Sequence, residues 1–137
     1  KQSTRAMHLA LKDAKINKEQ VDYINFHGTS TLVNDKVETL AVKNLFNDLV
    51  DKIPVSSTKS MVGHPQGASG ALGVSVSLLS LYNNFLTPTI NQEKPDPDCN
   101  LDYVPNEGRE KKLDIAISNC ISFGSKNSAL VLGSYTK

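Results

Sequence analysis

Three residues carry the most chemistry in this chain: His27, Lys59 and His64. Lys59 and His64 lie five residues apart in "TKSMVGHPQGASGALG", Thr58 to Gly73, an otherwise small-residue run with four glycines. His27 is followed by "GTST". There Gly28 permits close approach of a backbone or a ligand, and Thr29 and Thr31 offer hydroxyls. His64 stands between Gly63 and Pro65, where an apolar helix pattern begins. The positive end of a helix dipole disfavours an imidazolium at that place. A neutral imidazole there donates through one nitrogen and suits the stabilisation of a developing oxyanion. Each residue also has a plainer reading: His27 satisfied by a turn hydrogen bond, His64 as an N-terminal cap, Lys59 as a solvated turn lysine. Against the last, the neighbours of Lys59 are small and apolar, so its charge needs a partner. Two histidines with no carboxylate or thiol at ligand spacing do not make a metal site.

Strands and helices must position these groups. Ala6, Leu9, Ala10 and Ala14 recur at helical spacing. "VDYINFH", Val21 to His27, alternates as a strand does. "NDKVETLAVKNLFNDLV" predicts a helix with Val37, Leu40, Ala41 and Leu45 on one face and Asn34 or Asp35 near its cap. "IPVSSTK" predicts a short strand ending at Lys59. "GHPQGASGALGVSVSLLSLYNN" predicts a long helix entered through Pro65. "FLTPTINQEKPDPDCN" is punctuated by prolines and reads as a loop. "LDIAISNC" and "NSALVLGSY" predict two strands joined by "ISFGSK". The order α-β-α-β-α-β-β indicates an α/β chain with a mostly parallel sheet and helical layers. Reactive groups in such sheets collect at the carboxyl ends of strands. His27 and Lys59 would end the first two strands and Gly124 would lie in a turn after the third, all facing one crevice.

Composition narrows the class. With 137 residues the chain makes one domain, or half of a larger one, and can bury a core without disulfides. Its apolar share is 39% and its net charge +1, with the charges scattered. No basic stripe argues for nucleic acid and no acidic tail for disorder. Cys99 and Cys120 form neither a disulfide framework nor a zinc pattern, which suits a reducing, cytoplasmic setting. No apolar run reaches membrane length and no signal-peptide pattern opens the chain. It begins without Met and already in helical register, as a fragment cut at a helix would.

"FHGTST" followed by "NDKVE", then "STKSMVGH" with "GASGA", then "SFGSKNSALVL" form a set. In this order it resembles the C-terminal half of β-ketoacyl-acyl-carrier-protein synthases. These are the elongating, synthase II-like ketosynthases of the thiolase-like superfamily. The resemblance runs over essentially the whole chain. It implies that residues 1–137 are the C-terminal ketosynthase domain, with a thiolase-like mixed sheet between helical layers. The N-terminal half, which carries the nucleophilic cysteine, would be absent. The implied reaction is a decarboxylative Claisen condensation of malonyl-acyl-carrier protein with an enzyme-bound acyl thioester, in fatty-acid or polyketide synthesis. By resemblance, His27 and His64 would stabilise the charge on the malonyl thioester oxygen as the carboxylate leaves. Lys59 would order the site and neutralise local charge. Thr29 and Thr31 would contact the phosphopantetheine arm. Asp35 and Glu38 match the family's "D-x-x-E" and would support the site. Ile121, Phe123 and Gly124 fall on the loop that gates the acyl pocket. No metal or cofactor is implied beyond that carrier arm. The implied partners are the acyl carrier protein, the missing half and a second copy in a homodimer. Neither Cys99 nor Cys120 has the context of the family nucleophile, so the chain alone is expected to be inactive and to expose a large apolar face.

The sequence departs from the family in four places. Gly73 stands where a glutamate usually pairs with the lysine, which leaves Lys59 to pair with Glu38 or to sit more exposed. Ile121 and Ser122 replace a Phe-Gly unit, and Ser125 replaces a further glycine. Ser122 adopts positive φ less freely than glycine. These losses keep two alternatives open. One is a non-condensing partner of the chain-length-factor type. The other is a thiolase-type acyl-coenzyme A enzyme, suggested by "GHPQGASGA" and by the position of Cys120, although thiolases lack "HGTST".

Overall fold

A computed structural model describes residues 1–124 and 126–135. Four strands form the main sheet: β1 (Tyr23–Asn25), β2 (Val55–Ser56), β5 (Ile115–Ser122) and β6 (Lys126–Gly133), in the order β2-β1-β5-β6. The first three are parallel, with Ile24 opposite both Val55 and Ile117. β6 runs antiparallel to β5, so the sheet is mixed as expected. Two more strands, β3 (Phe85–Leu86) and β4 (Arg109–Glu110), make a small antiparallel ribbon. The sequence reading missed this ribbon. Each strand has only two residues, too few for a periodicity, and the proline-rich loop separates them.

Four helices accompany the sheet: α1 (Gln2–Ala14), α2 (Asn34–Phe46), α3 (Lys59–Val62) and α4 (Ser69–Asn83). Successive strand side chains alternate between faces. Ile24, Phe26 and Ile117 enter a core with Met7 and Leu11 of α1 and Ala41, Val42 and Phe46 of α2. Tyr23 and Ala116 enter a second core with Leu81 of α4, Leu86, Val104 and Leu113. The sheet thus lies between α1 and α2 on one side and α4 on the other.

Several expected boundaries and faces move. α1 buries Ser3, Met7 and Leu11, while Leu9 of the expected face is 48% exposed. Burying Met7 and Leu11 removes more apolar area from water than burying alanines. α2 ends at Phe46 and continues as a 3-10 turn, Asn47–Lys52. Its inner face carries Glu38, Thr39, Ala41, Val42 and Phe46, and Val37 and Leu40 are exposed. The rotation brings the Glu38 carboxylate under the sheet end. Asn34 and Asp35 open the helix beside its cap position, Val33, and Thr31 Oγ1 accepts the Asn34 N–H at 3.2 Å. β2 stops at Ser56, so Lys59 opens the short helix α3 and does not end a strand. Pro65 leads into a separate 3-10 turn, Gln66–Ala68, and α4 starts at Ser69.

Candidate active site

The chain leaves β1 at Asn25 and turns sharply at His27 and Gly28. Gly28 has φ +41, and a Cβ there would lie 2.4 Å from Ser57 Cβ. Only glycine tolerates both the angle and the approach. The approach is fixed by Ser57 Oγ, which donates to the Gly28 carbonyl at 2.8 Å. The two N–H groups exposed by this turn, those of His27 and Gly28, each donate to a Glu38 carboxylate oxygen at 2.9 Å. Asn119 Nδ2 of β5 adds a third bond at 3.2 Å and Asn34 Nδ2 a fourth at 3.4 Å. Glu38 is fully buried. Burial pushes its carboxyl upward, and these four donors pull it back. A buried carboxylate satisfied in this way clamps the backbone of His27 to α2 and β5.

His27 is 6% exposed, and its Nδ1 has no partner among the described residues. Its pKa is lowered to about 4, by burial first and then by Lys59 and His64, so the ring is neutral near pH 7. His64 meets it edge to face, with ring centroids 5.3 Å apart and planes at 81°. His64 Nδ1 accepts the Gln66 backbone N–H at 2.9 Å. A nitrogen that accepts is unprotonated, so in the neutral ring the proton sits on Nε2. The Gln66 N–H, in the turn before α4, therefore dictates a donor tautomer. Lys59 is half-buried, and burial lowers its pKa while Glu38 and Cys120 oppose the shift. Among the described residues no carboxylate lies within ion-pair distance of Lys59, so the expected pairing with Glu38 is an influence across space and not a contact.

Lys59 and His64 line an open cleft of about 1140 Å³ with Thr29, Thr31, Asp35 and the loop from Thr89 to Lys94. Thr29 and Thr31 hydroxyls lie 3.3 Å apart. Asp35 Oδ1 accepts the Ser30 N–H at 3.1 Å and closes the turn. The remaining expected residues lie elsewhere. Ile121 is half-buried on β5, and Phe123 is fully exposed beside Gly124 at the tip of the β5–β6 hairpin. Gly124 carries the positive φ, +73, and Ser122 is extended, so the serine costs no backbone strain. Ser125 lies outside the described residues.

Gly73 is buried on α4, where a Cβ would lie 2.8 Å from Ser118 Oγ and 3.2 Å from Asn25 Oδ1. The position is a contact between helix and sheet, with no room for a glutamate unless its neighbours move. Residues the sequence reading missed are Ser57, Gln66, Ser69 and Asn119. Each acts through a hydrogen bond that no spacing announces. Among the described residues no three His, Cys, Asp or Glu side chains gather as a metal site.

Lys59 and His64 at the cleft, with the buried neutral His27 behind them against the His64 ring, form a donor site for negative charge. The family profile described as "Beta-ketoacyl synthase, C-terminal domain" matches residues 1–93, and the chain belongs to that family. It is 52% identical over 129 residues to a 3-oxoacyl-(acyl-carrier-protein) synthase 2 of Coxiella burnetii, covering 94% of this chain and 31% of that protein. It is 45% identical over 133 residues to the synthase of the same name from Synechocystis, covering 97% and 32%. The chain therefore spans about a third of the length of these relatives. Among solved structures, one is a type II polyketide synthase acyl-carrier protein in complex with its ketosynthase bound to the hexaketide. It matches with TM-score 0.95 at 36% identity, over 98% of this chain and 33% of that one. The ishigamide ketosynthase/chain length factor matches with TM-score 0.94 at 40% identity, over 98% and 33%. The thiolase-like half-fold expected from the sequence is the fold observed.

Proposed function

We propose that this chain supplies the His27, His64 and Lys59 part of the active site of a β-ketoacyl-acyl-carrier-protein synthase. The reaction is the decarboxylative condensation of a malonyl thioester, carried on a phosphopantetheine arm, with an enzyme-bound acyl thioester. The observation that carries this reading is the His27–His64 pair: two rings in contact, one buried and neutral, the other fixed to donate from Nε2. As carbon dioxide leaves, the electron pair of the broken bond moves into the thioester carbonyl and makes an enolate oxygen. In this reading the neutral His27 ring and the Nε2–H of His64 donate to that oxygen and stabilise it without reorganisation. Lys59 adds positive charge at the cleft wall. Thr29 and Thr31 line the same cleft, and we assign them to the carrier arm. Asp35 and Glu38 are read as supports, the second through the His27 backbone.

The thiol that would hold the acyl chain is assigned to a part of the protein beyond these residues. Cys99 lies in the loop and Cys120 on β5, and neither has the sequence context of the family nucleophile. α4 supports the same conclusion. It buries Ser69, Gly73, Ser77 and Ser80 with Leu81, and exposes Leu78, Leu79 and Tyr82. An outward apolar face of this kind asks for a covering surface. The N-terminal half of the full-length protein is the cover we assign to it, and a homodimer with a carrier-protein partner is the assembly we expect. The test is turnover of malonyl-carrier protein and an acyl donor. The full-length protein should condense them and the isolated chain should not; condensation by the isolated chain would refute the division of labour.

A second reading, a non-condensing partner of the chain-length-factor type, is favoured by Ile121 and Ser122 in the gate and by the ishigamide match. A cysteine at the upstream nucleophile turn decides for the synthase, and any other residue there for the partner protein.

A further inference from the structure

We infer that Ser69 is a positioning residue for His64, a role that rests on the reading of His64 as an oxyanion donor. Ser69 is the first residue of α4 and is 7% exposed. Its Oγ lies 3.2 Å from His64 Nδ1. A hydroxyl and an imidazole nitrogen can share a proton in either direction, but here the direction is settled. The Gln66 backbone N–H already points at the same nitrogen from 2.9 Å, and an amide N–H can only donate. Nδ1 is therefore the acceptor for both, and Ser69 is the second donor.

One donor alone would hold His64 weakly. The side chain is exposed, and a half-turn about its Cβ–Cγ bond exchanges Nδ1 with a carbon. With Gln66 alone, that flip sacrifices one hydrogen bond. With Ser69 it sacrifices two and leaves a buried hydroxyl unsatisfied, the more costly outcome. Gln66 is itself held at φ +44, an uncommon angle for a residue with a side chain, while it gives its N–H to the ring. The turn and the buried hydroxyl thus converge on one ring nitrogen. Nε2, which has no partner among the described residues, is left as the donor on the cleft-lining ring. The edge-to-face contact with His27 depends on the same ring orientation.

The test uses the full-length protein with 15N-labelled histidine, in which long-range proton–nitrogen spectra report the tautomer of His64 directly. In the parent, Nε2 should give the protonated signal and Nδ1 the unprotonated one. Ser69→Ala should move both signals toward their average and lower kcat for malonyl-carrier decarboxylation about five-fold, the worth of one hydrogen bond, with KM unchanged. Ser69→Thr should restore both. If the alanine variant does not fold, Ser69→Cys, similar in size and a weaker donor, should give intermediate spectra and rate. Spectra and rate unchanged in the alanine or cysteine variant would overturn the proposal. The spectra do not depend on turnover. A tautomer shift in a protein that never decarboxylates malonyl-carrier would uphold the positioning role and sink the catalytic reading instead.

Discussion

Helices α2 and α4 pack on opposite faces of one sheet, and each turns some of its largest apolar residues away from it. α2 buries Glu38 and exposes Val37 and Leu40. α4 buries a glycine and three serines with Leu81 and exposes Leu78, Leu79 and Tyr82. The reasons differ. The inner face of α2 holds a charge, and that charge is answered by two backbone N–H groups and two asparagine amides. The inner face of α4 is small and neutral. Ser77 folds its hydroxyl back onto the Gly73 carbonyl at 2.8 Å, so the helix meets Asn25 and Ser118 of the sheet closely. One helix is built around a polar anchor for the site and the other around close approach. Hydrophobic pattern alone describes neither inner face.

Breaking the anchor should have the largest effect on stability. Glu38→Ala leaves two backbone and two side-chain donors without their acceptor. It should cost about 3 kcal/mol or more in denaturant unfolding of the full-length protein. A loss within 1 kcal/mol would show that the carboxylate is not the anchor.

The close-approach helix should respond to size. Gly73→Ala places a methyl 2.8 Å from Ser118 Oγ and should cost about 2 kcal/mol. The same change in a Ser118→Ala background should cost clearly less, since the colliding hydroxyl is gone. Equal costs in the two backgrounds would remove Ser118 from the explanation. On the outer face, Leu79→Lys should destabilise the full-length protein by about 1 to 2 kcal/mol, because the proposed cover would bury the new charge. No change in melting temperature would mean that this face stays open to water.

The last effect is confined to acid. His27 is held near pKa 4 in the folded state against an ordinary 6.5. Below pH 6.5 the unfolded chain therefore takes up a proton that the folded one refuses. Stability is unaffected above pH 6.5 and falls as pH drops from there toward 4. His27→Gln should flatten that limb of the pH–stability curve, and an unchanged limb would place the acid sensitivity in another group.

The comparison also shows where sequence reading succeeds. His27 follows β1 and Lys59 follows β2, two strands paired in parallel, and α3 carries the chain on to His64, whose ring meets that of His27. Motif residues are legible when backbone turns position them, as the glycine at position 28 does. The faces of α1 and α2 were misread because the apolar count ignored Met7 and could not foresee a buried glutamate. Lys59 was placed at a strand end because "IPVSSTK" gives no sign of the short helix that begins there. Gly73 was read as the loss of a carboxylate, whereas its surroundings at Ser118 and Asn25 belong to strands far away in sequence. Ser69 bonds His64 across one turn and Asn119 bonds Glu38 across the fold, contacts that leave no trace in spacing.

The central claim is that His27 and His64 act together as donors to a developing enolate. Its most direct test is release of carbon dioxide from malonyl-carrier protein by the full-length protein and by His27→Ala and His64→Ala. Each single replacement should lower kcat by roughly 100- to 1,000-fold, the scale for removing one oxyanion donor. The double replacement should fall well short of the product of the two losses, as expected of residues that work as a unit. Decarboxylation at the parent rate in either single variant would contradict the account.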